Sequence, residues 1–268
     1  MALEFSGKTV FITGVALGQG RAVALAFAEQ GANIAGLDLG EKISYPAYNR
    51  ASKDNLNKLA VDLEQIGAKS ALFPGDVRLA EDVKKAVDGA IAAFGTIDVL
   101  FNNAGIAAYG LSHELTEQQW DAVLDINLKG AFLTGKYVIP HMIKQKKGVI
   151  INNSSVGGLR GMNRLSHYAA SKWGMIGLTK SWAIELAPYG IRSISIHPTG
   201  VNTPFNDGLA ELEGMSPQEI AERSASNLLP VPWIEAQDVA DSVLFLASEK
   251  AKYVTGSQYV LDAGLMTR

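Results

Sequence analysis

The chain has 268 residues, a formal net charge of −3 and no cysteine. These values exclude disulfides, thiolate catalysis and cysteine-based zinc sites, and the lack of a polybasic run argues against nucleic-acid or anionic-membrane partners. No apolar run approaches the ~20 residues that cross a bilayer, and the first residues lack the regions of a secretory signal. We therefore expect a cytoplasmic protein with a single α/β domain over residues 1–268.

A strand, a glycine-rich turn and a helix are predicted at the start of the chain. The apolar run over residues 8–13 is typical of a buried strand, and the segment from Val23 to Phe27 has helical periodicity and stops at Gly31. Residues 14–20, with the sequence GVALGQG, lie between them. Glycines let a pyrophosphate approach the backbone, and a helix N-terminus offers free N–H groups. This segment therefore predicts a dinucleotide site.

A second strand over residues 33–38 ends in a carboxylate. Asp38 lies 18 residues after Gly20, at about the distance where an acidic residue meets the adenosine ribose. A carboxylate accepts hydrogen bonds from ribose hydroxyls and repels a 2′-phosphate. No arginine or lysine occurs within residues 14–20 or at Leu39 to compensate that charge. The pattern therefore favours NAD over NADP.

Strands and helices alternate along the rest of the chain. Further strands are predicted at 70–73, 98–101, 149–153, 192–196 and 258–261, and helices at 56–66, 83–94, 116–142, 166–189 and 237–246. Repeated strand–helix units imply a Rossmann-type, doubly wound parallel sheet with helices on both faces. Two segments depart from this order: a short insertion at about 41–53, and an irregular stretch at about 202–231 that we interpret as a substrate lid.

Tyr168, Lys172 and Ser155 form a chemically coherent set. A free phenol titrates near ~10, so a tyrosine is a poor acid or base at neutral pH. An adjacent ammonium lowers that pKa, and a spacing of four on a helix brings Tyr168 and Lys172 to one face. A serine hydroxyl at the end of a preceding strand can hold a substrate oxygen. The set predicts proton transfer to or from an alcohol oxygen.

With these motifs in view, the chain resembles the short-chain dehydrogenase/reductase family from Phe5 to Ala263. The matching motifs are residues 13–20, Asp76 before Val77, Asn102-Asn103-Ala104-Gly105, Asn127, Ser155, and Tyr168 with Lys172. Segments 38–56, 197–204, 230–233 and 253–256 resemble the carveol-dehydrogenase-like, mycofactocin-associated branch. Members of that branch carry an insertion thought to cover the cofactor and hinder its exchange, and the insertion here is shorter.

The resemblance implies roles for individual residues. The catalytic residues are expected to be Asn127, Ser155, Tyr168 and Lys172, with Asn127 holding a water that links Lys172 to solvent. The cofactor contacts are expected from Gly14, Leu17, Gly18, Gln19, Gly20, Asp38, Asp76, Val77, Asn103, Ala104, Gly105, Tyr168, Lys172, Val201 and Thr203. In the insertion, Tyr45-Pro46 and Tyr48 are predicted to pack over the adenosine half of NAD.

The predicted function is interconversion of a hydrophobic secondary alcohol and its ketone with NAD. The apolar substrate pocket is predicted from Val156, Gly157, Leu159, Met162, Leu165, Phe205 and Leu209. One alternative is a 3-oxoacyl-carrier-protein reductase, which prefers NADPH and benefits from a basic surface beside the site for its acidic carrier. Asp38 argues against the use of NADPH. Arg160 and Arg164 leave a basic surface possible. Another alternative is a non-catalytic NAD-binding regulator, because a fold alone does not establish a function.

Two further predictions concern residues outside these motifs. Trp173 and Ile176 fit helix packing against the sheet, while Met175, Leu178 and Trp182 mark a second apolar stripe that predicts a homo-oligomer. The family resemblance implies a dimer or a tetramer. The four histidines, His113, His141, His167 and His197, show no ligand spacing, so no metal site is predicted, and His167 is expected at the surface.

Overall fold

A central parallel sheet carries the candidate functional residues at the ends of its strands. The computed structural model describes residues 3–224 and 227–267. Its strands are β1 (Thr9–Thr13), β2 (Asn33–Asp38), β3 (Ser70–Pro74), β4 (Val99–Asn102), β5 (Gly148–Asn153), β6 (Ile191–Pro198), β7 (Val201–Asn202), β8 (Ile234–Glu235) and β9 (Gln258–Leu261). The seven-stranded sheet has the order β3-β2-β1-β4-β5-β6-β9, and β7 pairs separately with β8. Strand order reverses between β1 and β4, where a ligand crevice is expected.

Helices cover both faces of this sheet. They are α1 (Gly18–Glu29), α2 (Lys53–Gln65), α3 (Ala80–Phe94), α4 (Glu117–Leu124), α5 (Gly130–Gln145), α6 (Ser166–Leu186), α7 (Pro204–Leu212), α8 (Pro217–Ser224) and α9 (Ala236–Ala247). None of the described helices combines the length and apolarity needed to cross a membrane.

Two apolar cores lie on opposite faces of the sheet. Val10 and Ile12 of β1 pack with α1, α2 and α9, while Phe11 between them packs with α3, α5 and α6. Side chains alternate across a strand, so successive residues of β1 fill opposite cores. Burial on both faces explains why the strands are continuous apolar runs. The predicted doubly wound, Rossmann-type sheet is confirmed.

The predicted helix from Thr116 to about Met142 contains one wider turn. Thr116 Oγ1 accepts a hydrogen bond from the Gln119 N–H at 3.2 Å, and Gln119 Oε1 accepts one from the Thr116 N–H at 3.0 Å, which forms a capping box at the start of α4. A π-helical turn, Asp125–Lys129, then joins α4 to α5. Such turns recur at functional sites. Asn127 lies in this turn and is only 1% exposed.

Helix α6 packs on the sheet with a different face from the predicted one. Trp173 was expected against the sheet but is 51% exposed. Met175 and Trp182, expected on an outer stripe, are buried, and Leu178 packs in the core with α3 and α5. Ile176, also expected on the inner face, is buried. The rest of the prediction was wrong because apolar residues occur all round this helix and leave no periodic signal. Its outer face carries Trp173 and Ile184 instead.

The segment predicted as an irregular lid, residues 202–231, contains the helices α7 and α8. Each begins at a proline that follows a hydroxyl residue: Thr203 precedes Pro204, and Ser216 precedes Pro217. Proline is favoured at the first helical position and serine or threonine just before it, so a helix signal was present in the sequence. Residues 225 and 226 of the predicted lid lie outside the described residues.

Candidate active site

A cavity of about 240 Å³ opens at the carboxyl ends of β1, β2 and β4. Thirteen of the fifteen residues predicted to bind the cofactor line it. They are Gly14, Leu17, Gly18, Gln19, Asp38, Asp76, Val77, Asn103, Ala104, Gly105, Tyr168, Lys172 and Thr203. Gly20 packs behind the glycine-rich turn instead, and Val201 lines a neighbouring cavity. We refer to the 240 Å³ space as the nucleotide cavity.

Glycines allow the turn after β1 to fold tightly against the start of α1. Gly14 and Gly18 have φ angles of +65° and +52°, which favour glycine. A Cβ on Gly20 would lie 2.0 Å from the Gly14 carbonyl oxygen, so a larger residue would push the helix away from the turn. Asn103 Nδ2 donates to the Thr13 and Gly14 carbonyl oxygens, at 3.0 Å each. The start of α1, whose first N–H groups have no helical partner, therefore lines the cavity and suits a phosphate.

Asp38 lies at the end of β2 in the same cavity. Its Oδ2 accepts a hydrogen bond from the Ala16 N–H at 2.9 Å, which ties the carboxylate to the glycine-rich turn. Burial raises the pKa of the Asp38 carboxyl, while hydrogen bonds from the N–H groups of Ala16, Leu39 and Gly40 act in the opposite direction. The carboxylate lines the nucleotide cavity, where its oxygens can only accept hydrogen bonds while ionised.

Two arginines that sequence analysis did not associate with Asp38 also line the nucleotide cavity. Arg78 donates to Asp76 from Nε at 2.8 Å and from Nη2 at 2.5 Å, and Arg50 pairs with Glu211 at 2.7 Å. The sequence shows no cation close to Asp38, but the folded cavity brings two arginines into the same space. Arg78 pairs with a mostly buried carboxylate, which makes it a poor site for a 2′-phosphate, whereas the Arg50–Glu211 pair is exposed and weak.

A second cavity of about 150 Å³ adjoins the nucleotide cavity, and Tyr168 lines both. We refer to it as the substrate cavity. Of the seven residues predicted for an apolar substrate pocket, those that line it are Val156, Met162, Leu165, Phe205 and Leu209. Gly157 and Leu159 do not. Because Tyr168 lies where the two spaces meet, its hydroxyl is placed to act on a molecule in the substrate cavity beside one in the nucleotide cavity.

Ser155 follows β5 and is held from two sides. Its Oγ accepts a hydrogen bond from the Gly157 N–H at 3.0 Å. Its carbonyl oxygen lies 2.8 Å from Nδ1 of buried His197, which must donate because a carbonyl only accepts. Burial lowers the pKa of His197, so the neutral ring accepts from Ser195 Oγ at Nε2, 2.8 Å away. These contacts fix Ser155 beside Tyr168, with which its hydroxyl forms a hydrogen bond.

Lys172 and Asn127 meet beside Gly105. Lys172 Nζ donates to the Asn153 carbonyl oxygen at 2.7 Å and lies 5.6 Å from the centre of the Tyr168 ring. Asn127 Oδ1 accepts a hydrogen bond at 2.8 Å from a backbone N–H of the loop after β4. A Cβ on Gly105 would lie 3.3 Å from Asn127 Oδ1 and 3.6 Å from Lys172 Nζ. Glycine therefore keeps the space between the amide and the ammonium open.

Burial changes the pKa of both members of the Tyr168–Lys172 pair. It lowers the pKa of Lys172 to about 8, and it raises the pKa of Tyr168 above the ordinary phenol value. The predicted lowering of the Tyr168 pKa is thus outweighed by loss of water around the ring, although the hydrogen bond with Ser155 acts in the lowering direction. With a pKa of about 8, Lys172 stays mostly protonated at neutral pH and can attract a phenolate.

The insertion at 41–53 reaches toward the catalytic helix α6. Tyr48 donates a hydrogen bond to the Ala107 carbonyl oxygen at 2.8 Å, and the Tyr45 hydroxyl lies 3.4 Å from Nε2 of His167. Tyr48 lines the nucleotide cavity and packs in one apolar cluster with Tyr168, whereas Tyr45 does not line that cavity. The sequence placed both tyrosines over the adenosine half. His167 was expected at the surface but is fully buried beneath Tyr45, because packing of the insertion covers that side of α6.

Comparisons with known proteins agree with this geometry. A family model described as "Enoyl-(Acyl carrier protein) reductase" matches residues 14–266. The (−)-trans-carveol dehydrogenase of Rhodococcus erythropolis is 39% identical, over 96% of this chain and 97% of that protein. The 3-oxoacyl-[acyl-carrier-protein] reductase FabG of Thermotoga maritima is 37% identical, over 98% of this chain and 100% of that protein.

A solved structure has nearly the same backbone. The crystal structure of carveol dehydrogenase from Mycobacterium avium in complex with NAD superimposes with a TM-score of 0.94 at 34% identity and covers 99% of both chains. The match therefore includes the glycine-rich turn, the catalytic helix and the lid segment together. This chain belongs to the short-chain dehydrogenase/reductase family of oxidoreductases.

Proposed function

We propose that the protein is an NAD-dependent oxidoreductase that interconverts a hydrophobic secondary alcohol and its ketone. The observation that carries the proposal is the convergence of Ser155, Tyr168 and Lys172 where the nucleotide cavity meets an apolar substrate cavity. The similarity to carveol dehydrogenases supports an alcohol substrate. A non-catalytic NAD-binding regulator needs the nucleotide cavity but has no use for a serine hydroxyl paired with a buried tyrosine.

Each catalytic residue has its own role in the proposed oxidation. Tyr168 is the general base: with Lys172 to stabilise its phenolate form, it takes the proton from the substrate hydroxyl, and Ser155 Oγ donates a hydrogen bond to the same oxygen. Lys172 attracts the phenolate and binds the nicotinamide ribose. Asn127 holds a water that relays protons between Lys172 and solvent. NAD, when bound, supplies the hydride acceptor, and in ketone reduction Tyr168 returns the proton.

The residues of the nucleotide cavity fit NAD. The glycine-rich turn, in which Gly14 and Gly18 have positive φ angles, folds tightly against the start of α1, lines the cavity and suits a pyrophosphate. Asp38 would accept hydrogen bonds from the adenosine ribose. Asp76 and Val77 would flank the adenine. Asn103 and Thr203 line the same cavity and would contact the cofactor as well.

A 3-oxoacyl-carrier-protein reductase is the second candidate, because FabG proteins are similar over the same length. One observation weakens it. Arg164, a candidate for recognising an acidic carrier protein, donates to both carboxylate oxygens of Glu213 at 3.0 Å and lies 5.2 Å from the Tyr109 ring. Only Arg160, which is exposed and lines the substrate cavity, keeps that role open.

The proposal is tested by a screen with purified protein. NAD reduction is measured across terpenoid, alicyclic, aryl and hydroxyacyl alcohols, with an artificial electron acceptor added in parallel so that tightly held NAD also turns over. We expect activity with an apolar secondary alcohol. Turnover confined to hydroxyacyl thioesters would favour the carrier-protein reductase, and no turnover under either condition would refute the oxidoreductase.

The catalytic assignment is tested on the best substrate of that screen. Tyr168→Phe keeps the ring and removes only the hydroxyl, so kcat should fall at least a hundredfold, in keeping with the ~10²–10⁴-fold typical of general acid–base groups. Retention of more than a tenth of wild-type turnover would show that Tyr168 is not the acid or base. Tyr253→Phe, at a residue that is 89% exposed and lines neither cavity, is the matched control and should leave turnover unchanged.

We further propose that the protein is a cytoplasmic homo-oligomer, either a dimer or a tetramer. Support comes from large apolar side chains on the outer faces of neighbouring helices. Phe132 of α5 is 48% exposed, and Trp173 and Ile184 of α6 are 51% and 78% exposed. Exposed apolar surface of this kind marks protein–protein contacts.

A further inference from the structure

We infer that Tyr48 of the insertion is a positioning residue for the substrate cavity, which it shapes by holding α7 against Tyr168. The inference rests on the proposed alcohol dehydrogenase function. It gives the insertion a part in substrate recognition, where the sequence suggested a cover for the nucleotide.

Tyr48 is anchored at the boundary between the two cavities. It is 8% exposed, and its hydroxyl donates to the carbonyl oxygen of Ala107, a residue that lines the substrate cavity, at 2.8 Å. Burial raises the pKa of this phenol, so the hydroxyl remains a donor throughout the neutral range. The ring also packs in one apolar cluster with Leu165 and Leu209, which line the substrate cavity as well.

The Tyr48 ring fits against α7 at a glycine. A Cβ on Gly208 would lie 2.1 Å from Cδ2 and 2.3 Å from Cγ of Tyr48, so the ring occupies the space that any other residue would need. An exposed ion pair between Arg50 and Glu211, 2.7 Å apart, joins the same two segments at the surface. Exposed pairs contribute little, so the buried ring is the main link between the insertion and α7.

One aromatic ring, that of Phe205, connects Tyr48 to the catalytic tyrosine. Tyr48 and Phe205 of α7 meet edge to face, with ring centres 6.3 Å apart and planes at 80°. Phe205 in turn lies 6.3 Å from Tyr168, with planes at 45°. Phe205 lines both cavities, so its position sets how closely a substrate can approach the Tyr168 hydroxyl. Loss of the Tyr48 ring would free α7 to move and would loosen the substrate cavity.

A double-mutant cycle tests this arrangement, with the best alcohol from the screen as substrate. The variants are Tyr48→Ala, Gly208→Ala and the double variant. We expect each single change to raise the alcohol KM at least tenfold, the first by removing the ring and the second by pushing it off α7. In the double variant the methyl group added at position 208 enters the space that the Tyr48 ring has left. The KM of the double variant should therefore equal that of Tyr48→Ala alone, so the effects of the two single changes should be strongly non-additive. Because Tyr48 also lines the nucleotide cavity, the NAD dissociation constant is measured by titration as well, and the alcohol KM should rise by a larger factor than that constant in all three variants.

Further variants separate positioning from folding. Tyr48→Phe keeps the ring and loses only the hydrogen bond to Ala107, so it should restore most of the wild-type KM. Tyr253→Ala, at an exposed tyrosine outside both cavities, should change neither constant. Additive effects in the cycle, or a weaker NAD affinity with an unchanged alcohol KM, would overturn the inference.

The inference and the proposed function fail in different ways. A wild-type protein that oxidises no alcohol refutes the function. In that case the melting temperatures of the same four proteins are compared. Gly208→Ala should lower the melting temperature of the wild-type protein but not that of the Tyr48→Ala variant. Equal destabilisation in both backgrounds would refute the contact itself.

Discussion

Coenzyme selection in this protein depends on how four charged side chains of one cavity are paired. Asp38, Arg50 and Arg78 all line the cavity; Arg78 is held by Asp76, and Arg50 forms an exposed pair with Glu211. A 2′-phosphate would be repelled by Asp38 and would have to compete with Asp76 for Arg78. The preference for NAD therefore depends on Asp38 in a cavity with more positive charge than the sequence suggested.

Asp38→Ala should reduce the preference for NADH over NADPH without creating a strong NADP enzyme. Loss of a hydrogen bond to a charged group costs about 1.5–3 kcal/mol, so kcat/KM with NADH should fall roughly ten- to a hundredfold, while that with NADPH should rise only slightly because Arg78 remains paired with Asp76. Steady-state kinetics with both coenzymes measure the change. Asp88→Ala, at an exposed carboxylate on α3, is the control. A wild type that used both coenzymes equally well would contradict this view of Asp38.

At the level of whole elements, the contact between α5 and α6 depends on one glycine. A Cβ on Gly135 would lie 2.3 Å from Cη2 of Trp182, whose ring is 6% exposed and cannot swing into solvent. By contrast, Gly177 on the outer face of α6 has nothing within 4 Å of a built Cβ. Substitution of alanine at these two helical glycines therefore adds the same methyl group to a filled space and to an open one.

Gly135→Ala should destabilise the protein and Gly177→Ala should not. Overpacking a filled core costs about 1–3 kcal/mol, whereas alanine in an open helical position gains up to about 1 kcal/mol over glycine. Because Gly177 lies on the α6 face proposed as an interface, denaturant unfolding of both variants is measured in an Ile184→Glu background, which should leave that face in solvent, and it gives the two free energies. Equal stability of both variants would show that Trp182 does not fill the space beside α5.

Sequence patterns predicted those parts of the site that depend on local spacing. The glycine-rich turn, Asp38 at the end of β2 and the four-residue step from Tyr168 to Lys172 are all local features, and each side chain lies in one of the two cavities. The inward face of α6 could not be predicted, because apolar residues occur on every side of this helix and their spacing does not show which side faces the sheet. The contacts of Tyr48 and Arg50 were also hidden, since their partners lie more than 50 residues away in the chain.

At the level of the whole molecule, the outer face of α6 exposes large apolar side chains that no other part of a single chain covers among the described residues. We expect sedimentation experiments to show a species larger than one chain. Ile184→Glu places a charge on a side chain that is 78% exposed, and it should shift the protein to a smaller species if that face is an interface. Val61→Glu, on the exposed face of α2, should not. A wild type that sediments as a monomer would contradict the proposed oligomer.

The strand order also divides much of the site between the two halves of the chain. Residues up to β3 supply the glycine-rich turn and Asp38, while β4 and the elements after it supply Ser155, Tyr168 and Lys172. Contacts cross the junction before β4: Tyr48 of the first half fits Gly208 of the second, and Asn103 of the second half donates to the Thr13 and Gly14 carbonyl oxygens of the first. A chimera of two such enzymes joined at this point must therefore carry matching partners at both contacts if coenzyme preference is to be exchanged without loss of the substrate cavity.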